Sequence, residues 1–223
     1  MGTPSDKIRH EILSAALALA PFQGWTSSML SKAEREAGHP KGTALLFFPN
    51  GVFDLMEFWS AQLDAQAEAK LAAMDMSQMK IRDKVTAGVL ARLEVIGPHA
   101  EAARRMGARL SLPGALPKGA KHLWASADMI WRAIGDTSTD ANYYSKRTIL
   151  SGVIGSTLPV WLSDEDKGRE FLDARIANVM QFEKMKWQVK SKTDGLPKLG
   201  ELLGSLRYGG GFKRRRRKHS RML

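Results

Sequence analysis

The sequence predicts an all-α protein, a helical bundle of about nine helices, on three observations. Apolar residues recur every three to four positions along most of the chain. No segment alternates with the period of two that a half-buried strand needs, and β-branched residues form few clusters. With 223 residues, 43% of them hydrophobic, there is chain enough to bury a sizeable core in one domain, or in one plus a tail.

Each helix has its own signals. The first runs through Ile8, Ile12, Ala15, Ala16 and Leu19, capped by Ser5 and Asp6 and ended by Pro21. Thr26-Ser27-Ser28 caps a second, which carries Leu30, Ala33 and Ala37 and stops at Gly38. Pro40-Lys41-Gly42-Thr43 opens a third, Ala44 to Phe48, closed by Pro49-Asn50-Gly51. A long fourth sets Met56, Trp59, Leu63 and Ala67 on one face, and Ile81, Val85, Val89, Leu93 and Ile96 mark a fifth, stopped by Gly97-Pro98. A sixth covers about 99–112 and leads into a turn-rich loop, Leu112 to Pro117. The seventh covers about 118–135, a polar connector runs from Gly135 to Asp140, the eighth covers about 140–162 and the ninth about 166–190. Pro159 should kink the eighth or mark its last turns, because it removes a backbone donor.

Beyond Gly195 the character changes. Leu196, Leu199, Leu202, Leu203 and Leu206 make one apolar stripe on a short helix, and Gly209-Gly210-Gly211 then joins it to a basic run. Net charge is +11, and Lys213 to Lys218 with Arg221 supply seven of those positives, so the chain before them carries only +4. The organisation expected is a module over 5–51, a bundle over 52–190, an amphipathic helix over 196–208 and a basic tail over 209–223. An apolar face beside a polybasic patch supplies the two attractions that stable peripheral membrane binding requires. Leu199, Leu202, Leu203, Leu206, Arg214 and Arg215 are the membrane-binding candidates. Packing of the stripe back onto the bundle, and phosphate neutralisation on a nucleic acid, are the competing readings. The basic run has no interleaved aromatics, which weakens a base-stacking role.

Catalytic and metal chemistry finds little support. There is no cysteine, hence no disulfide, thiolate or cysteine-held metal, which suits a reducing, intracellular setting. Glu36-x-x-His39 has the spacing of half a di-iron site, but no second such pair exists and Gly38 and Pro40 break the helix there. His10, His99 and His122 have no partner at metal-ligand spacing, Ser151 lacks a nucleophile elbow, and no glycine-rich phosphate loop occurs. The expectation is a non-enzyme without cofactor or metal. No apolar run reaches the roughly 18 residues that span a bilayer. Met1-Gly2 begins like a myristoylation signal but meets Asp6 where Ser or Thr is wanted. Asp6 and Glu11 argue against a mitochondrial presequence, so a cytoplasmic place, peripheral on the inner membrane face, is expected.

Two sets of residues carry the binding expectations. Asp136, Asp140, Asn142, Tyr143, Tyr144 and Arg147 are docking candidates, because Tyr and Arg bury large area behind a polar end. The competing reading packs one Tyr inside and pairs Arg147 with Asp136 or Asp140. Successive helix positions point about 100° apart, so one of Tyr143 and Tyr144 should be exposed. Trp59, Trp124, Met129, Trp131 and Trp161, with Met56 and Met106, could line an apolar cavity or simply form the core, since both uses produce the same stripe.

The first three helices resemble the N-terminal helix-turn-helix of TetR-type repressors, through Trp25-Thr26, Leu30, Ala33, Glu36-Ala37-Gly38, Lys41-Gly42-Thr43 and Phe48-Pro49. Such a module reads DNA with polar side chains of its third helix. Here that helix offers Ala44, Leu45, Leu46 and Phe47, which cannot make bidentate bonds to bases, so specific DNA binding is not expected. A ligand-responsive regulator of this type is the alternative function.

A longer ordered run resembles the TetR-like accessory family of ubiquinone biosynthesis. It comprises Leu112-Pro113 to Leu116-Pro117, Gly135-Asp136-x-Ser138-Thr139-Asp140-x-Asn142-Tyr143-Tyr144-x-Lys146-Arg147, and Ser156-Thr157 to Trp161-Leu162. Phe48-Pro49-Asn50-Gly51 with Asp54-Leu55, and Phe171-Leu172-x-x-Arg175, fit as well. The resemblance implies a non-enzymatic, lipid-binding homodimer at the membrane surface, on the matrix side in a mitochondrion. It would present an isoprenoid quinone intermediate, or another apolar lipid, to a di-iron demethoxyubiquinone hydroxylase. The residues from Asp136 to Arg147 would contact the hydroxylase, and the last amphipathic helix would bind the membrane. The chain departs from the usual pattern in Tyr143, where a Trp is common in eukaryotic members, and in its basic tail.

Overall fold

The computed structural model describes residues 3–193, with side chains to 181, and every element among them is helical. The stripe from Leu196 to Leu206 and the basic run, including Leu199, Leu202, Leu203, Arg214 and Arg215, lie outside the described residues. The chain divides into two compact units, residues 1–178 and 179–223, and the bundle with its surfaces and cavity belongs to the first.

Helix α1 spans Pro4–Gln23 and is capped by Thr3, not Ser5: Thr3 Oγ1 accepts from Asp6 N, and Asp6 Oδ2 accepts from Thr3 N. Pro21 does not end this helix, which continues to Gln23 and closes at Gly24 (φ +65°), whose N–H bonds to Ala20 O. A proline in the last turn forfeits one hydrogen bond with little helix left to distort. Helix α2, Ser27–Glu36, is capped by Thr26, and α3, Thr43–Phe47, begins after Gly42 at φ +97°. The buried Glu34 carboxylate accepts from both Gly42 N and Ala44 N, fixing the turn between these helices and facing the positive end of α3.

Helix α4 (Val52–Ala72) packs against α5 (Ile81–Glu94) and α7 (Leu116–Ala133), and α7 against α8 (Ala141–Ser163). A 3-10 turn at Gly97–His99 leads from α5 into α6 (Ala100–Leu110), and α9 spans Glu165–Thr193. Pro117, expected in the loop, lies in the first turn of α7, where a missing N–H costs nothing. Pro159 lies within the last turns of α8, which runs on to Ser163. The N-terminal helices join the bundle through Trp25, which stacks on Trp59 (5.5 Å, 23°) and donates its Nε1 hydrogen to Ala102 O of α6. Close approach of α5 to α7 requires Gly88, where a Cβ would lie 2.5 Å from Ile130 Cγ2.

Candidate functional site

The α7–α8 turn is held by charges. Gly135, at φ +86°, reverses the chain after α7, and Asp140 caps α8 by accepting from Asn142 N. Between them Asp136 turns inward and accepts from Lys146 Nζ (2.7 Å), Ser138 Oγ (2.9 Å) and Arg147 Nη1 (3.2 Å). Arg147 is only 2% exposed; its Nε donates to Asp128 Oδ1 (2.6 Å) and its guanidinium lies 3.5 Å from the centre of the Tyr143 ring. Tyr143 donates its hydroxyl hydrogen to the same Asp128 oxygen (3.2 Å). Burial pushes the Asp136 carboxyl up, but the hydrogen bonds from Lys146, Ser138 and Arg147 outweigh it and hold the group at about 2. Asp128 is likewise held low, against its burial, by Arg147, Arg132 and Tyr143.

This network sorts the docking candidates. Asp136 and Arg147 are internal struts rather than surface groups, and Tyr143 is half-buried between them and its neighbour. Asp140, Asn142 and Tyr144 are exposed. Tyr144, at 64% exposure, is the outward aromatic that the 100° offset required. It stands edge-on to Tyr143 (5.1 Å, 79°) and 6.3 Å from Trp124, so two ring systems continue as one surface. Of the two partners read from sequence for Arg147, Asp136 is engaged; the other carboxylate is Asp128 rather than Asp140. Asp128 is the sole acidic residue on α7, a signal available in the sequence.

A cavity of about 550 Å³ opens among α4, α5, α6, α7 and α8. Leu63, Leu93, Leu110, Leu123, Leu158 and Leu162 form much of its wall; Gly107 leaves open space, whereas Gly119 and Gly155 let Leu110 and Leu123 pack close. Among the five residues read as cavity candidates, Trp59 lines it, as does Met106. Trp124, Met129, Trp131 and Trp161 do not line it. Trp124 faces Tyr144, Trp131 donates to Lys146 O, Met129 is buried, and Trp161 packs beneath Gly168 and Arg169. One stretch of wall is polar: Ser60, Arg92, His122 and Ser126 line the cavity there. Behind them Asp64 accepts from Arg92 Nε and from Ser126 Oγ (2.7 Å), and Arg92 Nη2 reaches Ser60 Oγ (3.4 Å). Sequence reasoning missed this cluster because its members lie on three different helices.

Elsewhere, α3 presents Leu45 and Leu46 to solvent, the latter 79% exposed. His39 Nε2 is paired with Glu11 (3.0 Å), which accounts for that histidine without a metal. Among the described residues no three His, Asp or Glu side chains gather as a metal site, and no helix is long and apolar enough to cross a membrane.

Comparison with known proteins returns a consistent pattern. A protein-family model, COQ9, matches residues 116–183, which contain α7, the connector, α8 and the beginning of α9. The chain is 30% identical over 203 residues to the Bos taurus protein named "Ubiquinone biosynthesis protein COQ9, mitochondrial", covering 86% of this chain and 63% of that one. It is 31% identical over 202 residues to the Rattus norvegicus protein of the same name, covering 86% and 64%. The chain thus spans just under two thirds of the length of these curated relatives. A solved tetR-family transcriptional regulator from Streptomyces coelicolor superposes with a TM-score of 0.47 at 18% identity, over 92% of this chain and 97% of that one.

Proposed function

We propose that the chain belongs to the COQ9 family of ubiquinone biosynthesis proteins, to which it is similar over residues 116–183 and through relatives 30–31% identical, and that it is a non-enzymatic, lipid-binding accessory factor of that pathway. It binds an isoprenoid quinone intermediate in the cavity and, as a homodimer at the membrane surface, presents it to a di-iron demethoxyubiquinone hydroxylase. The carrying observation is the cavity, whose volume of about 550 Å³ lies among those of small-molecule sites and whose walls are mainly leucine. Burial of an isoprenoid chain there recovers about 25 cal/mol per Å² of apolar area, the same driving force that holds it in lipid. Transfer is therefore near balance, which suits a protein that must also let go.

The docking face is the surface of Tyr144, Trp124, Asn142 and Asp140, held in place by the Arg147 network beneath it. The leucine stripe from Leu196 to Leu206 and the basic run hold the membrane face. Specific reading of DNA is not part of this function, because the exposed side chains of α3 include Leu45 and Leu46, which carry no hydrogen-bonding group. The test is mass spectrometry of organic extracts from the purified full chain. About one isoprenoid quinone per chain is expected; extracts free of any apolar lipid would sink the proposal.

A further inference from the structure

The cavity wall is not uniform, and its polar stretch has a chemistry of its own. Asp64 stands behind the lining and already engages the Nε–H of Arg92 and the hydroxyl of Ser126. That ion pair leaves the wall without an uncompensated cation: Arg92 is matched by Asp64, and Arg104, exposed among the lining residues, pairs with Glu101. A carboxylate or phosphate head would gain little from such a wall and lose its hydration.

His122 is different. It precedes Ser126 by one helical turn and so shares its face of α7. It is 8% exposed and lines the cavity, and its enclosed Nδ1 has no hydrogen-bond partner among the described residues. Nδ1 has no surface open to a guest, but Nε2 makes no hydrogen bond among the described residues either and is not enclosed, so it is the ring nitrogen left for a ligand to satisfy. Burial also pushes this imidazole below its ordinary range, so near neutrality it is uncharged, with one N–H donor and one acceptor nitrogen.

We propose that the cavity holds an uncharged, ring-headed amphiphile, with a head oxygen hydrogen-bonded to His122 and the head lying against Ser60 and Arg92. This rests on the lipid-cavity reading and deepens it. A neutral imidazole can donate to a ring carbonyl and can accept from a ring hydroxyl, so one residue serves a quinone and its reduced or phenolic forms alike. Apolar chain then lies along the leucines of the remaining wall.

The test is calorimetric titration of delipidated full-length protein with three probes sharing a ten-carbon chain: a decyl dimethoxy-methyl-benzoquinone, decylbenzene and decanoate. The wild-type protein should bind the quinone about tenfold more tightly than decylbenzene, as one well-made hydrogen bond to a desolvated group allows. His122→Phe should abolish that preference while keeping decylbenzene affinity. His122→Gln, whose amide can stand near the place of Nε2, should restore most of it. On wild-type protein, the nitrogen-15 resonance of His122 Nε2 should move with the quinone and not with decylbenzene, a readout independent of whether the variants fold. An unchanged preference in His122→Phe, equal wild-type affinities for quinone and decylbenzene, or tighter binding of decanoate would overturn this inference and leave the cavity reading standing. Binding of none of the three would overturn both.

Discussion

Helix α7 serves two regions built on opposite physical terms. Toward the connector it contributes Asp128 to a cluster in which two carboxylates meet an arginine, a lysine and a tyrosine. Toward α4 and α5 it contributes His122, Leu123 and Ser126 to a cavity whose wall is mainly apolar. In the first region hydrogen bonds fix Asp128, Asp136, Tyr143 and Arg147, and so hold the start of α8 from which Tyr144 projects. In the second, dispersion contacts and the missing Cβ of Gly107 leave room for a flexible guest. A surface meant to be recognised needs rigidity; a cavity meant to accommodate a chain needs space. The difference predicts that damage to the first region will cost stability, while damage to the second will cost ligand.

The largest effect should come from Arg147→Met. It removes the cation shared by Asp128 and Asp136, leaving Asp128 with Arg132 and the buried Asp136 with Lys146. Losing charged hydrogen bonds of this kind costs about 1.5–3 kcal/mol, to be read as a shift of the urea midpoint. A loss below about 1 kcal/mol would mean that the network is decorative and that the two regions do not differ in this way. Quinone binding by the fraction that remains folded should be unaltered.

Acid should attack the same region. Asp136 falls from 3.8 when unfolded to about 2 when folded, which corresponds to roughly 2 kcal/mol of stability. Because the folded value is depressed, that stability is fully present above about pH 4 and is lost as the pH falls toward 2. Asp136→Asn should therefore be less stable than wild type at pH 7 but lose less between pH 4 and pH 2. Parallel stability curves for the two proteins over that window would refute the assignment.

These regions were unequally legible in the sequence. The helices were readable because burial imposes their period, and the errors at Pro21 and Pro117 came from weighing proline's breaking power above its position in a last or first turn. That one of Tyr143 and Tyr144 would face outward followed from helix geometry; that it is Tyr144 is seen only in the structure. The inward turn of Arg147 did not, because its second partner, Asp128, lies 19 residues earlier on another helix. The cavity was the hardest to see. Large aromatic residues suggest a pocket, yet small residues such as Gly107 and Ala103 line it, and only Trp59 of the five candidates faces it. The leucine stripe and basic run were legible as patterns but fall outside the described residues.

Gly107 sharpens the contrast with the opposite sign. It lines the cavity from within α6, and a Cβ added there would meet nothing within 4 Å. Gly107→Leu should project into the open space and, by removing a helical glycine, stabilise the fold by about 0.5–1 kcal/mol. The same change should reduce co-purified quinone severalfold. Reduced stability with full lipid content would show that the cavity lies elsewhere.

The smallest effect on stability should come from Tyr144→Ala, and it is the sharpest test of the patch. Tyr144 is mostly exposed and makes none of the network's hydrogen bonds, so its loss should change stability by no more than about 0.5 kcal/mol. Tyr143 would be a poor probe, since its ring covers Arg147 and its hydroxyl reaches Asp128, so its removal would confound folding with docking. If the patch docks the hydroxylase, Tyr144→Ala should weaken co-purification at least tenfold, as truncation of a central aromatic anchor does, with lipid content and melting behaviour intact. Undiminished capture would move the docking face away from this surface, and the rigidity beneath it would then need another purpose.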